Sequence, residues 1–554
     1  MEYSLHGHID VDEFHRAWQQ VVARHSILRT GFAWENLERP YQVVHEPAEI
    51  DLSRHDWRSL SADRQEAAFA ALAREDKSQN FSLEAPPLMR LSLVQLSELD
   101  YRFLWTFHHM ILEGWSATIV LREVDEIYRA YSQGAEVRLA PTLPYSEYIR
   151  WLQQLDPLPA ESYWRRTLKG FSEPNHLPMD KAQGNAPPKV AHCTELRWRM
   201  SPEHTQALNR FAKQNRLTLA TICQGVWALL LSRYTRSSDI VFGVVVSGRS
   251  ADLAGVDSMV GLCVNTLPAR VHVDEDASLL PWLQRLQHDQ AELRKYEHSS
   301  IVQAQAFSDV PHGQPLFETL VVFQNWEGRF PYELNHIREG IDYPMALAVS
   351  PGRKLTVDLR YDPQRFDESD VLRLQGHYKR LLKSLVAMPD PLLSELPMLS
   401  ESERRLLVEE WTDTDQDYGD EARIHRLVGR QAVETPDRVA LQFEEQELTY
   451  AELNGRANQL ARVLRARGVG PEVLVGVLAE RSVEMVIALL AVLKSGGAYV
   501  PLDPEYPSER LTHMLDDTQA LLVLLQPGLS GRLPTGACEL LELDASWAAF
   551  TGES

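Results

Sequence analysis

Hydrophobic and polar residues recur along the chain with two periods, one typical of strands and one typical of helices. Tyr3 to Leu5 have the composition of a short strand, and Asp10 stands where the N-cap of a helix is expected. Beyond this residue, Phe14, Trp18 and Val21 recur at helical spacing. The chain is therefore predicted to begin with a strand that leads into an amphipathic helix.

The same two periods predict the elements that follow. Strands are predicted near residues 41–45, 89–93, 104–107, 195–200, 240–246 and 355–361, and helices near residues 62–75, 218–234 and 368–387. Ser201 followed by Pro202 marks a further helix start. The helix near 218–234 is apolar nearly all round, so we expect it to be buried. Strands and helices interspersed in this way predict a mixed α/β (α+β) fold.

Changes in composition divide the chain into parts. Residues 171–190 are rich in proline and poor in apolar side chains, which is typical of a connecting loop. After about residue 420 a new pattern begins, in which helices at 451–466 and 483–493 flank a strand at 474–478. We predict a first lobe at 1–170, a second lobe at 171–395, a linker at 396–420 and a further domain at 421–554.

Composition and charge exclude several classes of protein. Hydrophobic residues make up 44% and charged residues 24% of the 554, as in an ordinary globular protein. The formal net charge of -22 argues against nucleic acid as a partner, because phosphates would be repelled. The longest apolar run, Met485 to Leu493, is too short to span a bilayer. Four scattered cysteines and no secretory signal predict a cytoplasmic protein with reduced thiols.

The clearest candidate chemistry lies where the strand near 104–107 ends. His108 and His109 are followed by Glu113 and Gly114, and Ser116 is predicted to cap the next helix. An imidazole presented on a supported loop has a pKa near neutrality, which suits proton transfer. A histidine pair on an apolar strand is more often structural, so the pair alone does not decide the function. Adjacent histidines cannot both coordinate from one strand face, and we predict no metal site.

Residues Phe107 to Ser116 resemble the HHxxxDG motif of the condensation domains of nonribosomal peptide synthetases, with Glu113 where that family has aspartate. Four more segments resemble family motifs in the same order: Arg24 to Phe32 (RHxxLRTxF), Tyr145 to Trp151 (YxDYAxWQ), Val260 to Arg270 (VGxFVNTLPxR) and Pro315 to Asn325 (PLFxxxxxFQN). Cys263 replaces the phenylalanine of the fourth motif. Five motifs in family order make a chance match improbable.

The residues after 420 resemble the beginning of an adenylate-forming, or AMP-binding, domain. Leu448 to Leu453 and Leu493 to Asp503 resemble two of its early motifs. Gly496 follows a predicted helix, so a C-cap is favoured over a phosphate loop. The glycine-rich ATP loop of that family does not occur before Ser554, and we expect this adenylation part to be too truncated to be active. The condensation family also has a strand-helix segment before the position of Met1, which we expect to be missing here.

The resemblance implies a fold and an activity. The fold would be two chloramphenicol-acetyltransferase-like lobes in a V-shaped pseudo-dimer, with the active site in a tunnel between them. The activity would be amide-bond formation between an acyl or peptidyl thioester and the amine of an aminoacyl acceptor. Both substrates would be tethered by 4'-phosphopantetheine to upstream and downstream peptidyl carrier proteins, within the rest of the synthetase module. No cofactor would be bound by the chain itself.

The resemblance also implies roles for single residues. His109 would face the tunnel and act on the amine, by taking its proton or by orienting it, and His108 would be largely structural. Glu113 would form a structural ion pair with Arg249, and Gly114 would leave room for the pantetheine arm. The substrate tunnel would be lined by Trp115, Ser116 and Asn265.

The sequence leaves two other functions possible. Some family members with altered histidine motifs are noncatalytic modules that recruit a partner enzyme; here both His108 and His109 are retained, which favours catalysis. An epimerisation domain shares the motif, but it normally follows a carrier and does not precede an adenylation segment.

Overall fold

The computed structural model describes residues 1–182, 193–249, 253–311, 313–324, 332–337, 342–388, 390–417, 423–533 and 538–543. The chain divides into two compact units, Met1–Glu409 and Glu410–Ser554. Part of the predicted loop at 171–190, Asn325 of the fifth motif and part of the predicted linker lie outside the described residues.

The first unit is built from two sheets and their helices. Its first elements are β1 (Glu2–His6), α1 (Val11–Arg24), β2 (Thr30–Ala33), β3 (Tyr41–Val44), β4 (Leu52–Asp56), α2 (Ala62–Ser78), β5 (Met89–Gln95), β6 (Asp100–Phe107), α3 (Gly114–Ser132), α4 (Tyr145–Gln154) and α5 (Pro157–Leu168). It continues with β7 (Thr194–Arg199), α6 (Pro202–Gln214), α7 (Leu219–Thr235), β8 (Asp239–Val246), β9 (Asn265–His272), α8 (Leu279–Arg294), α9 (Ile301–Gln305), β10 (Thr319–Phe323), β11 (Glu333–His336), β12 (Met345–Ser350), β13 (Thr356–Tyr361), α10 (Glu368–Ser384) and α11 (Glu401–Arg405).

The first sheet has the strand order β11-β1-β6-β5-β4 and forms the first lobe. Only β4 and β5 are parallel neighbours within it. Asp10 caps α1 as predicted, because its carboxylate accepts hydrogen bonds from the backbone N–H groups of Asp12 and Glu13. The helix buries Phe14 and Trp18 against the sheet, and the rings of Trp18 and Trp105 lie 5.0 Å apart. α1 and α3 therefore cover one face of this sheet, and α2 packs on the other through Phe69.

The second sheet has the strand order β7-β13-β12-β10-β8-β9 and forms the second lobe. One of its faces is covered by α6, α7, α8 and α10, which together build the largest core of the protein. The predicted burial of α7 is confirmed, since Trp227 and its neighbours are almost completely buried. The other face carries Ala346, Leu320 and a row of charged residues on β7 and β13, with none of these four helices packed on it.

Three segments cross between the two lobes. β11 follows β10 of the second sheet but pairs with β1, so that it forms the edge of the first sheet. Val256, Met259 and Val260 lie between β8 and β9 and pack into the first core. Trp164 of α5 is buried in the second core, although α5 comes before β7, the first strand of the second sheet, in the sequence. Each lobe is therefore completed by residues from the other part of the chain.

The second unit contains a small parallel sheet. Its elements are α12 (Ile424–Glu434), β14 (Val439–Phe443), β15 (Gln446–Thr449), α13 (Tyr450–Ala466), β16 (Leu474–Leu478), α14 (Val483–Ser495), β17 (Ala498–Leu502), α15 (Ser508–Thr518), β18 (Leu522–Leu525) and β19 (Glu539–Glu542). The parallel strands have the order β17-β16-β18-β19. Gly496 ends α14 in the left-handed conformation with φ of 96°, which confirms the predicted C-cap.

The predicted elements agree with the structure to within a few residues at their ends, as local patterning allows. None of the described helices combines the length and the apolar character needed to cross a bilayer. All four cysteines are free thiols.

Replacing Trp18 by alanine should destabilise the first unit by about 3–5 kcal/mol, because a fully buried indole is removed from a packed core. Urea unfolding followed by circular dichroism measures the loss. Trp34→Ala is the matched control, because Trp34 is 42% exposed and its removal should change the free energy of unfolding by less than about 0.5 kcal/mol. Equal effects of the two substitutions would contradict the assigned core.

Candidate active site

The loop between β6 and α3 carries the two histidines and the acid of the motif. β6 ends at Phe107, and α3 begins at Gly114. The N-cap of α3 is Glu113, so the prediction that Ser116 caps this helix was wrong. The carboxylate of Glu113 accepts hydrogen bonds from the backbone N–H of Trp115 at 2.6 Å and of Ser116 at 3.3 Å. A carboxylate satisfies these free N–H groups and complements the positive end of the helix dipole.

The structure brings Glu113 and Arg249 together across the two lobes. Arg249 follows β8, and its Nη2 atom donates to Oε1 of Glu113 at 2.6 Å. Both side chains are buried, at 3% exposure for Arg249 and 8% for Glu113. Nη1 of Arg249 donates to the backbone carbonyls of Val256 and Met259. The guanidinium therefore ties the motif loop to the crossing segment between β8 and β9.

Ser116 lies inside this network. Its hydroxyl accepts from Nη2 of Arg249 at 2.8 Å and from the backbone N–H of Gly261 at 3.0 Å, and it donates to the carbonyl of Gly261 at 2.7 Å. Ser116 has no exposed surface, so in this structure it supports the network from within and not as a wall of a cavity. The carboxylate of Glu113, the hydroxyl of Ser116 and both Nη atoms of Arg249 have hydrogen-bond partners, which offsets the cost of burying them, whereas Nε of Arg249 is buried without one.

Gly248 makes the approach of Arg249 feasible. Its φ of +63° lies in the left-handed region, which glycine adopts without steric cost. A Cβ atom at this position would lie 1.6 Å from the backbone oxygen of Cys263, so no other residue fits without moving the main chain. Cys263 itself is buried, and this burial raises the pKa of its thiol to about 11. It is a packing residue and carries no thiolate at neutral pH.

His108 faces inward and is half-buried. Its Nδ1 atom accepts a hydrogen bond from the backbone N–H of Met110 at 3.2 Å, which requires the neutral ring to carry its proton on Nε2. The ring also meets the edge of Phe81 at a centroid distance of 6.2 Å. Burial, with a smaller contribution from the neighbouring His109, lowers the pKa of His108 below its usual value.

His109 points in the other direction and is exposed. Its ring packs near Phe107 and lines a cavity of about 150 Å³. The other walls of this cavity come from β1, α2, β6 and the residue after β11, and they include Met1, Glu2, Ala73, Lys77, Leu104, Trp105, Thr106 and Ile337. The walls therefore belong to the first lobe, and one of them, Ile337, is supplied by the segment that crosses over from the second lobe.

The remaining predicted site residues have structural contacts. Trp115 is half-buried, its Nε1 donates to the carbonyl of Asp257, and its ring lies 5.8 Å from the Arg249 guanidinium. Asn265 begins β9, and its amide donates to the carbonyls of Glu297 and Ser299. Gly114 is the first residue of α3, directly after the cap. A larger cavity of about 710 Å³ near Arg233 contains none of the predicted site residues in its described lining.

Lys77, Glu2 and Ile337 were missed by the sequence reasoning. They lie on α2, on β1 and after β11, and they come together with His109 only through the folding of the first sheet. Their residue types and spacing follow no motif. No local signal could have placed them beside a histidine that is more than 30 residues away in each case.

The two-lobed fold and the supported histidine loop agree with a condensation domain of a nonribosomal peptide synthetase, and the family comparison shows this class directly. The family model of the condensation domain matches residues 1–408, and that of the AMP-binding enzyme matches residues 428–547. The chain belongs to the condensation-domain family, followed by the start of an AMP-binding domain.

Similar proteins include large peptide synthetases. One of the linear gramicidin synthase subunits from Brevibacillus parabrevis is 42% identical over 98% of this chain and 11% of its own length. Bacitracin synthase 3 of Bacillus licheniformis is 36% identical over 94% of this chain and 8% of its own length. The chain thus spans about a tenth of the length of these curated relatives.

Solved structures show the same fold. The nonribosomal peptide synthetase FmoA3, in its AMPPNP-bound form, matches with a TM-score of 0.78 at 21% identity, over 100% of this chain and 58% of that chain. The X-domain from teicoplanin biosynthesis matches with a TM-score of 0.63 at 23% identity, over 72% of this chain and 92% of that chain. At these identities the matches establish the fold and not the function.

Replacing Arg249 by alanine should destabilise the first unit by about 3–5 kcal/mol, because the Glu113 carboxylate then stays buried without its partner. Chemical unfolding measures the loss. Arg270→Ala is a useful comparison, since the Arg270 pair with Asp239 at 2.6 Å is more exposed and should contribute less. A variant of Arg249 with unchanged stability would show that the buried pair does not hold the lobes.

Stability should fall as the pH falls below about 6.5 in part because of His108. The pKa of His108 is lower in the folded state than in the unfolded chain. At a pH between these two values the unfolded chain binds the proton more tightly, so protonation favours unfolding. His108→Asn keeps an acceptor for the N–H of Met110 and removes the titration. Unfolding at pH 5, 6 and 7 should therefore show a weaker pH dependence in the variant, and identical slopes would rule out the lowered pKa.

Proposed function

We propose that this chain forms an amide bond between a carrier-bound acyl or peptidyl thioester and the amine of a carrier-bound aminoacyl acceptor. The observation that supports this most is the placement of His109. Its imidazole is exposed in a cavity of the first lobe that includes Ile337 of the crossing segment, on a loop that the buried pair of Glu113 and Arg249 holds in place. A supported loop with an accessible imidazole suits a reaction between two substrates that enter a cleft.

In the proposed reaction, the neutral amine attacks the thioester carbonyl carbon. The C–N bond forms, the carbonyl oxygen becomes an oxyanion, and the tetrahedral intermediate then collapses with cleavage of the C–S bond. If His109 acts as the base, the amine proton passes to it and from there to the leaving thiolate; if His109 only orients the amine, the proton passes to the leaving thiolate without it. In both cases the products are an amide and a free thiol. Holding both substrates in one cleft supplies the gain from proximity, and the imidazole either takes the proton or orients the amine.

His108 would act as a positioning residue. Its hydrogen bond to Met110 and its burial fix the start of the motif loop, and its lowered pKa keeps it neutral near pH 7. Glu113 and Gly114 would contribute through the loop and the helix start, and not through contact with the reacting atoms. Trp115, Ser116 and Asn265 would influence the tunnel indirectly, through hydrogen bonds that hold its walls in place.

The proposed partners are upstream and downstream peptidyl carrier proteins with 4'-phosphopantetheine arms, in the rest of the synthetase module. The family and the large synthetases among the relatives support these partners. The four free thiols support a cytoplasmic location.

His109→Ala should reduce amide formation by roughly 100- to 10,000-fold while the fold stays intact, because the imidazole is exposed and supports no core. The assay loads donor and acceptor carrier proteins, adds the chain and quantifies the amide by mass spectrometry. His109→Gln separates the two roles: a glutamine can orient the amine by hydrogen bonding, but it cannot take its proton.

His45→Ala is the matched control, since His45 is also exposed and lies outside the cavity of His109. This variant should keep the wild-type rate. A folded His109→Ala protein with the wild-type rate would remove His109 from catalysis, and a wild-type chain that forms no amide from any carrier pair would refute the proposed reaction.

A further inference from the structure

The helix-free face of the second sheet carries a ladder of cross-strand pairs on β7 and β13. In the first two rungs, Glu195 lies opposite Arg360 and Arg197 lies opposite Asp358. Arg197 binds Asp358 through two hydrogen bonds of 2.7 and 3.0 Å, and Arg360 reaches Glu195 at 3.3 Å. Two arginines and two carboxylates make this part of the face neutral in sum.

The third rung breaks the pattern. Arg199 lies opposite Thr356, so the arginine has no carboxylate across the strand. Arg353 and Lys354 precede β13 in the adjoining turn and lie in the same concavity as Arg199. Among the described residues, no carboxylate lies within ion-pair distance of any of these three cations. Glu203 is near enough to Lys354 for its own pKa to be lowered in part by that charge, without forming an ion pair.

This cationic concavity is the outermost of three that share walls. The cavity of His109 shares Ile337 with a second cavity of about 380 Å³. The second cavity lies between β11 and the charge ladder, and it shares Arg199 with the third, of about 540 Å³. From Arg360 to Thr356 the strand advances by four residue steps, or about 13 Å. The three cavities therefore adjoin one another in series through Ile337 and Arg199, with the imidazole at the first and the cations at the third.

The distribution of charge along these cavities selects a kind of ligand. The middle cavity has paired charges and many hydrogen-bonding groups, which suits a polar but uncharged chain. The outer cavity has three cations in a protein whose net charge is -22, so it is a local exception that attracts an anion. A ligand with an extended, uncharged polar chain and a phosphate at one end would suit the middle cavity with its chain and the outer cavity with its phosphate.

We propose that Arg199, Arg353 and Lys354 bind the phosphate of a 4'-phosphopantetheine arm whose thiol end reaches towards His109. This inference rests on the proposed function, and it adds the anchoring site and the side of entry for one of the two arms. Guanidinium and ammonium groups form charge-assisted hydrogen bonds with phosphate oxygens. The site binds the phosphate group itself and needs no acidic surface on the carrier protein.

The test is the double charge reversal Arg353→Glu with Lys354→Glu, in the full chain. Donor and acceptor are each supplied in four forms: on the intact carrier protein, as the free phosphopantetheine thioester, as the dephosphorylated pantetheine thioester and as the N-acetylcysteamine thioester. For one of the two substrates, the KM of the phosphorylated form should rise roughly tenfold, and the KM values of the two forms without phosphate should not change. The same KM of the wild-type chain should rise with salt, because salt screens exposed charges.

Lys213→Glu is the matched control, since Lys213 is an exposed cation on α6 outside the three cavities. It should leave all KM values unchanged. Unchanged KM values in the double variant, or an equal rise for the forms with and without phosphate, would overturn the phosphate site. A rise limited to intact carrier proteins would also overturn it and would assign the cations to the carrier surface. Failure of the wild-type chain with every substrate would instead refute the proposed function.

Discussion

The buried ion pair of Glu113 and Arg249 is the interaction on which the site depends. Removing two charges from water costs several kcal/mol for each, and this cost is offset only where the charged atoms have good partners. Here the carboxylate accepts from Arg249 and from two backbone N–H groups of α3, and the guanidinium also donates to two carbonyls. The same carboxylate thus caps a helix of the first lobe and holds an arginine of the second.

The substitution of glutamate for the family's aspartate gains a physical meaning from this geometry. Glu113 uses one oxygen for Arg249 and the other for the backbone of Trp115, and its longer side chain spans both partners without leaving the N-cap position. The loop before it, with His108 turned inward and His109 turned outward, is therefore fixed at both ends: by the end of β6 and by the start of α3. The orientation of the two imidazoles follows from this support.

The crossing segments make the cleft a property of the whole first unit. β11 becomes an edge of the first sheet while it stands opposite the helix-free face of the second, so it forms one wall of the middle cavity. The residues between β8 and β9 fill the first core and supply carbonyls to Arg249. Neither lobe has a complete core without the other, which explains why Met1–Glu409 forms one compact unit.

Much of the fold was determined by the sequence alone, because the signals are local. Asp10 caps α1, α7 is buried on all sides, and Gly496 ends α14, as spacing and residue type predicted. The motif order also indicated the family and the residues of the histidine loop. Local rules failed at the start of α3, where serine is usually the better cap, because the partner of Glu113 is 136 residues away.

Only the tertiary structure decided which side chains surround His109. Lys77 and Ile337 reach its cavity through the packing of α2 and the crossing of β11, and the unpaired third rung of the ladder depends on the register of β7 with β13. Periodicity and capping act over a few residues, so they can be read along the chain. The partner of a buried charge, the walls of a cavity and the register between distant strands are set by contacts between segments far apart in sequence, which a single sequence does not specify locally.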